Sequence, residues 1–285
     1  MKDYRTDNYD KQDLEQRKIE EIDFHNFIRL VRDDVHVADT RYSPEMEETI
    51  RSNPLWVNMK YYSIERKSRN MVLRWFEENC PGKRVLDYCC GNGEDSRIIA
   101  RYGAKEVVGI DISEISVANC TENAKREGVN TSTIYLLRDA ENTEFEDNSF
   151  DIITEYGALH HLDLKKAFAE LARILRPNGK IICNEALAHN PFIHLYRKLT
   201  PDLRTAWEVD HIMRKQDLLL ASKYFGKIEI KFFHLCTLLA VSFRKTPLFL
   251  TFLTVLEWID ALLLKLPVLK WWAWQTVFIL SEPRK

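Results

Sequence analysis

Between residues 83 and 184 short apolar runs alternate with amphipathic ones, and the connections between them are only a few residues long. That alternation is the pattern of parallel strands joined by covering helices, and it leaves few other folds open. Lys83–Tyr88 (KRVLDY) reads as a buried strand, followed by a glycine turn and a helix through Ser96–Tyr102. Val107–Ile110 is the next strand, and Ser113 is placed to cap a helix running to about Glu127. Thr133–Leu137 and Phe150–Thr154 supply two more strands. Leu164–Leu175 has helical periodicity, with Pro177-Asn178-Gly179 as its stop before a fifth strand at Lys180–Asn184. The reading is an α/β fold with a doubly wound sheet.

The rest of the 285-residue chain surrounds this middle. Residues 1–80 read as an N-terminal helical cap, and 81–285 as the main domain. Within that domain 185–226 forms a polar, proline-broken lid insertion, and 235–272 a hydrophobic helical insertion. Strands at Lys227–Phe233 and Gln275–Ser281 bracket the second insertion and bring the sheet to seven. The charge is uneven. Residues 1–50 carry 22 charged side chains, whereas Leu235–Lys285 carry 9 and four of the seven tryptophans. A net charge of −2 gives no electrostatic reason to expect nucleic acid. The charged start has no apolar run behind it and does not read as a secretory signal. The six cysteines lack paired metal-ligand spacing, and Cys89-Cys90 read as buried small residues at a strand end. The expected location is cytoplasmic.

The run Val85-Leu86-Asp87-Tyr88-Cys89-Cys90-Gly91-Asn92-Gly93-Glu94 puts a glycine turn at the carboxyl end of the first strand. Glycines there let backbone N–H groups approach a ligand, and the helix N-terminus behind them favours negative groups. Gly91-x-Gly93 with Asp111 about twenty residues on also fits a nicotinamide dinucleotide site. Two features argue for a different ligand. Asp87, directly before the loop, would repel a pyrophosphate but suits an ammonium and a sulfonium. Ser96 stands where the third glycine of that fingerprint belongs.

VLDYCCGNGE, VVGIDIS, LLRDAEN, FDIITEYGALHHL and ELARILRPNGKIIC occur in the order and spacing of the class I S-adenosylmethionine-dependent methyltransferases. The chain resembles the small-molecule (type 11-like) group, which includes quinone C-methyltransferases and natural-product O-methyltransferases. The resemblance covers about residues 80–185 and the last strand. It implies a Rossmann-like seven-stranded sheet, with S-adenosylmethionine as cofactor and S-adenosylhomocysteine as product. It implies that Asp87 and the backbone of Cys89, Gly91 and Gly93 hold the methionine end. Asp111 would hold the ribose hydroxyls, Ile112 would pack on adenine, and Asp139 with Ala140 would take the adenine amino group. Glu155 and Tyr156 would lie near the sulfonium, where an aromatic face or a carboxylate favours a cation. Cys89 departs from the pattern by replacing the loop's first glycine.

Methyl transfer from a sulfonium is a direct displacement, so positioning does most of the work and a base is needed only if the acceptor loses a proton. His160 and His161 are the base candidates; loop or helix-cap roles are the alternative. The lid candidates for acceptor contact are Tyr61 and Tyr62, in the run Asn53 to Ser63, with Arg197, Trp207 and His211 in the insertion. Glu208 and His211 are too few for a metal site, and no metal is expected. Leu248–Leu266 reads as a helix with one polar stripe, Thr251, Thr254, Glu257 and Asp260, whose two acids argue against a membrane span. Self-packing, a homodimer through 247–272 and peripheral membrane contact all remain open for it. The function expected is methyl transfer to a small, hydrophobic or lipid-linked acceptor at oxygen or carbon. A non-catalytic cofactor-binding or membrane scaffold is the alternative, followed by a nicotinamide-dependent oxidoreductase.

Overall fold

The structure is a computed structural model and describes residues 15–31, 44, 47–48, 51, 57–200, 203 and 205–285. The elements run α1 (Gln16–Val31), α2 (Met59–Tyr62), α3 (Arg66–Asn79), β1 (Arg84–Tyr88), α4 (Glu94–Arg101), β2 (Glu106–Asp111), α5 (Glu114–Arg126), β3 (Thr133–Leu137) and β4 (Phe150–Tyr156). They continue through α6 (Leu164–Ile174), β5 (Leu175–Ala186), α7 (Pro191–Leu199), α8 (Ala206–His211), α9 (Lys215–Ala221), β6 (Phe225–Phe233), α10 (Phe249–Leu263) and β7 (Gln275–Pro283). Of the expected cap, residues 1–14, 32–43, 45–46, 49–50 and 52–56 lie outside the described residues.

The seven strands lie in the order β3-β2-β1-β4-β5-β7-β6, parallel except for β7, which runs antiparallel to both neighbours. Successive strand residues go to opposite faces. Val85, Val107, Ile152, Ile182 and Val277 pack under Val72 and Phe76 of α3 and Ile99 of α4. Leu86, Val108, Ile153, Ile181 and Phe278, each one residue along, pack against Phe168 and Leu171 of α6 and Leu218 of α9. Both faces are therefore buried, and what remains open is the strands' carboxyl edge. The order reverses between β1 and β4, so the crevice of the sheet opens there.

One expected boundary moves. Pro177-Asn178-Gly179 is not a loop between a helix and a strand: β5 starts at Leu175, immediately after α6. The three residues are absorbed as a register shift, Phe150 pairing with Leu175 but Ile152 with Lys180. Gly179 permits this, because a Cβ there would lie 2.8 Å from the Asp151 carbonyl oxygen.

The hydrophobic insertion folds as a 3-10 turn (Cys236–Phe243), α10 and a second 3-10 turn (Leu269–Trp272). Its two acids face inward. Asp260 is buried and accepts from the backbone N–H groups of Leu235 (3.0 Å), Cys236 (2.6 Å) and Thr237 (3.3 Å) and from the Thr237 hydroxyl (2.9 Å). Glu257 is buried against Arg66, whose Nη2 lies 2.5 Å away. Phe249, Leu253 and Leu256 pack inward beside them, against Ile64, Ala240 and Val241. The outward face is apolar as well: Leu250, Val255, Trp258 and Leu262 are exposed, Trp258 by 73%. Among the described residues no helix is long and apolar enough to cross a membrane.

Asp260 ties the start of the insertion to α10, and removing a buried charged acceptor leaves its donors without partners. Asp260→Ala is expected to cost about 2–4 kcal/mol in denaturant unfolding, and Asp260→Asn, which keeps one acceptor oxygen, less than half of that.

Candidate cofactor and acceptor site

The turn after β1 is held open by three successive departures into left-handed backbone, Cys89 (φ 59°), Gly91 (53°) and Gly93 (70°). Gly93 caps α4, and a Cβ there would meet Cys120 Sγ at 2.8 Å. A Cβ on Gly91 would come within 2.9 Å of Arg29 Nη2. Cys89 adopts the conformation glycine tolerates best, so it carries backbone strain of about 1 kcal/mol. The turn is tied to the neighbouring strand end: Gly91 N–H donates to Asp111 Oδ2 at 2.9 Å, and Ser113 N–H to Asp111 Oδ1 at 2.9 Å. Each Asp111 oxygen has one lone pair left. Ser113 also caps α5, accepting from Ser116 N–H at 3.1 Å.

A cleft opens over this turn, lined by Cys89, Gly91, Asp111, Ile112, Asp139, Ala140, Tyr156 and His161 of the sheet edge. Its other wall is α1, which contributes Arg17, Lys18, Glu21, His25 and Arg29. Ion pairs hold the helix down. Lys18 Nζ lies 2.5 Å from Asp139 Oδ2 and 2.9 Å from Glu141 Oε2, and Arg17 Nη2 is 2.6 Å from Glu141 Oε1. Burial would make Lys18 easier to deprotonate, but the hydrogen bonds to Asp139 and Glu141 outweigh it and raise its pKa. Lys18 therefore stands on the carboxylate expected to receive an adenine amino group. The α1 residues were missed from sequence. The signal was there, since positions 17, 18, 21, 25 and 29 share one helix face.

Eight of the expected site residues meet in the cleft; the others do not. Asp87 is buried behind the turn, its Oδ2 accepting from Ser96 N–H (2.9 Å) and Ser96 Oγ (2.5 Å). Burial and the nearby Asp95 raise its pKa to about 7. Glu155, expected beside a sulfonium, instead turns its Oε1 to the N–H groups of Ala158 (2.5 Å) and Leu159 (3.2 Å), because the turn after β4 needs acceptors. Burial and the adjoining Glu185 push its pKa far up. His160 is buried with Nδ1 2.7 Å from Glu185 Oε2, whereas His161 faces the cleft. For His160 burial favours the neutral ring, but Glu185 overrides it and raises the pKa.

The expected acceptor contacts are corrected most. Arg197 is buried and donates to the Leu187 carbonyl at 3.0 Å, a packing role inside the lid. Tyr61 and Tyr62 lie against Trp274, and Tyr61 also against Tyr196. Trp207 stacks on His211 at 3.6 Å, with the Arg17 guanidinium 4.5 Å from its ring centre. None of these five lines the cleft.

Tyr156 is held from behind. Its hydroxyl donates to Glu65 Oε2 at 2.5 Å, Glu65 Oε1 accepts from Gln275 Nε2 at 2.5 Å, and Ser68 Oγ donates to Gln275 Oε1 at 3.0 Å. Burial raises the Glu65 pKa to about 7, against the opposing bonds from Tyr156 and Gln275. An acid whose folded pKa lies above its unfolded value stabilises the fold fully below the unfolded pKa and loses that contribution as pH rises through the folded one. Unfolding free energy is therefore expected to fall between about pH 4.5 and 7, and Glu65→Gln to flatten the fall. At pH 8.5 the variant should exceed the parent by about 1–3 kcal/mol in urea unfolding.

Residues 86–183 match the profile of a methyltransferase domain family. Among curated proteins the chain is 26% identical over 150 residues to a sterol 24-C-methyltransferase of Schizosaccharomyces pombe, covering 51% of this chain and 40% of that one. It is 34% identical over 107 residues to the 27-O-demethylrifamycin SV methyltransferase of Amycolatopsis mediterranei, covering 37% and 39%. It is 37% identical over 110 residues to the demethylmenaquinone methyltransferase of Staphylococcus haemolyticus, covering 36% and 44%. The chain thus spans about two fifths of the length of these relatives. A phosphoethanolamine N-methyltransferase of Haemonchus contortus, solved with S-adenosylhomocysteine, superposes with a TM-score of 0.53 at 20% identity, covering 88% of this chain and 61% of that one. The [4+2]-cyclase SpnF superposes with 0.50 at 20% identity, covering 75% and 82%. The five motifs, the strand order with its antiparallel β7 and the family match agree: residues 86–183 form a methyltransferase domain of the class I S-adenosylmethionine-dependent family, in its small-molecule group.

Proposed function

We propose that this chain transfers a methyl group from S-adenosylmethionine to oxygen or carbon of a small apolar acceptor that it takes from a lipid surface. The observation that carries the methyl-transfer reading is the meeting of the glycine turn, Asp111 and Asp139 in one cleft that continues past Tyr156 to His161. The curated relatives named for sterol, rifamycin and menaquinone methylation support an apolar acceptor.

The residues present fit the cofactor. Gly91 holds a positive φ of 53° with only the flexible tip of Arg29 near it, and Asp111 keeps one lone pair on each oxygen for a ribose diol. When bound, S-adenosylmethionine supplies a methyl carbon on a positively charged sulfur. Asp111 holds the ribose hydroxyls, with Ile112 and Ala140 against adenine and Asp139 toward its amino group. Asp87 would lend negative charge behind the methionine end, where a bound ammonium would offset the burial that raises its pKa. The Tyr156 ring faces the cation and is kept from turning by Glu65. Helix α1 closes the cleft and excludes water, and His161 beside Glu21 stands where an acceptor oxygen arrives. A structural neighbour named as a [4+2]-cyclase has the same fold, so turnover must be measured directly. Incubation with methyl-labelled cofactor and a lipid extract should give a labelled product. Calorimetry should show S-adenosylhomocysteine binding, weakened about 10-fold or more by Asp111→Asn. Binding of NADH without S-adenosylhomocysteine would overturn the reading, and tight cofactor binding without labelled product would favour a scaffold.

The lipid surface is argued from α10. Between Leu235 and Leu280 the only acids, Glu257 and Asp260, point inward, while Lys265 is exposed and Lys245, also exposed, pairs with Glu47. Apolar outer residues rimmed by cations and tryptophan suit an anionic lipid interface. The amphipathic helix α7 extends the face with exposed Phe192 and Leu199, and Asn190 at its start donates to the Trp272 carbonyl at 2.7 Å. The chain is expected to sediment with vesicles of phosphatidylcholine and phosphatidylglycerol, and a Trp258→Asp, Leu262→Asp double variant to stay in solution. A dimer in light scattering that ignores vesicles and is split by the double variant would assign the face to a second copy instead.

A further inference from the structure

We infer that Glu21, His25 and His161 form a binding site for one divalent transition-metal ion of the zinc type, open toward the acceptor end of the cleft. Neither the family match nor the relatives point to it, and two of its three residues come from α1, outside the matched domain.

Three atoms define the site. Glu21 Oε2 lies 3.0 Å from His161 Nδ1 and 3.4 Å from His25 Nε2, and all three fall within 4.8 Å of one another. Ordinary ion pairing would align donor with acceptor. Instead Glu21 Oε2 and His161 Nδ1 are both buried and neither makes a hydrogen bond, although they are 3.0 Å apart. An ion seated among the three would take one lone pair from each. First-row ions bind imidazole nitrogen and carboxylate oxygen at about 2.0–2.2 Å, which separates neighbouring ligands by about 2.9–3.5 Å between octahedral and tetrahedral geometry. The two measured edges lie in that interval.

The surroundings are built for it. Glu21 is only 5% exposed, and its other oxygen accepts from Thr205 Oγ at 2.6 Å, which fixes the carboxylate plane as outer-sphere partners of metal ligands do. Glu21 and His25 are four residues apart, on one face of α1. His161 is packed edge-on to His25 at 5.2 Å and against His160 at 4.3 Å. Two of the cations on the same helix are already paired elsewhere, Arg17 with Glu141 and Lys18 with Asp139 and Glu141. A second trio, His160, His161 and Glu208, shares His161, but there His160 Nδ1 is occupied by Glu185. Two imidazoles and one carboxylate suit zinc or iron(II) and leave coordination positions free. Those positions face the cleft, where an oxygen of the acceptor can fill one. This last step rests on the methyl-transfer reading; the site itself does not.

Chelator-treated protein titrated with Co²⁺ tests the site apart from turnover. One equivalent is expected to give a visible d–d absorption band that Zn²⁺ abolishes. Glu21→Gln and His25→Ala should each weaken Co²⁺ binding about 30-fold or more, with circular dichroism showing that both variants fold. His25 is half-exposed, so its variant keeps the test valid if the buried Glu21 cannot be replaced. Absence of the band at one equivalent, or a band with unchanged affinity in the His25→Ala variant, overturns the inference and leaves the three residues as an ion-paired cluster.

Discussion

A parallel sheet covered on both faces can present functional groups only where its strands end, and this constraint organises the whole molecule. Alternating residues of β1, β2, β4 and β5 commit one face to α3 and α4 and the other to α6 and α9. The reversal between β1 and β4 then leaves one crevice, and into it run the glycine turn, Asp111, Asp139 and Tyr156. The acids there cannot be neutralised by the sheet itself. Helix α1 supplies the missing charge through Arg17 and Lys18, and in doing so becomes the far wall of the cleft. The helix is therefore held by Asp139 and Glu141, carboxylates of the sheet edge itself.

Behind the cleft the molecule buries a continuous polar path. It runs from Tyr156 through Glu65, Gln275 and Ser68 to His234 Nε2 (2.8 Å), then from His234 Nδ1 to Thr237 (3.3 Å) and on to Asp260 (2.9 Å). Burial drives the His234 pKa down to about 3, so the ring stays neutral, with one N–H to donate to either Ser68 or Thr237. Such a network has to be satisfied throughout, because each unpaired member in a low-dielectric interior costs more than its bond contributes. Its physical effect is to join the ring that faces the cleft to the root of α10 by directional contacts instead of by apolar packing, which tolerates sliding.

Helix α10 reverses the usual arrangement of a surface helix. Its acids point in, where Arg66 and the backbone of 235–237 receive them, and Trp258 and Leu262 point out. The inward acids fix the helix without help from its outer face, which stays exposed. The exposed apolar face belongs to the insertion after β6, whereas the cleft is built by the sheet edge and α1.

The sequence by itself determined the sheet, since period-two burial and short connections leave one way to cover KRVLDY, VVGI and FDIIT on both faces. It also determined Cys89, Gly91, Asp111, Ile112, Asp139, Ala140 and Tyr156 as the residues at the strand ends, because motif spacing within one βαβ unit is local. Contacts between distant segments were decided only by the tertiary structure. Glu155 turned from the cleft because the loop after β4 lacked acceptors, and Arg197 turned inward because the lid needed a donor at Leu187. The polar stripe of α10 was legible in the sequence, but its burial against Arg66 and residues 235–237 was not. Glu21 and His25 lie more than 130 residues from His161, and no local pattern brings them together. Periodicity encodes which side of an element is buried; which partner waits on that side depends on packing that only the whole chain defines.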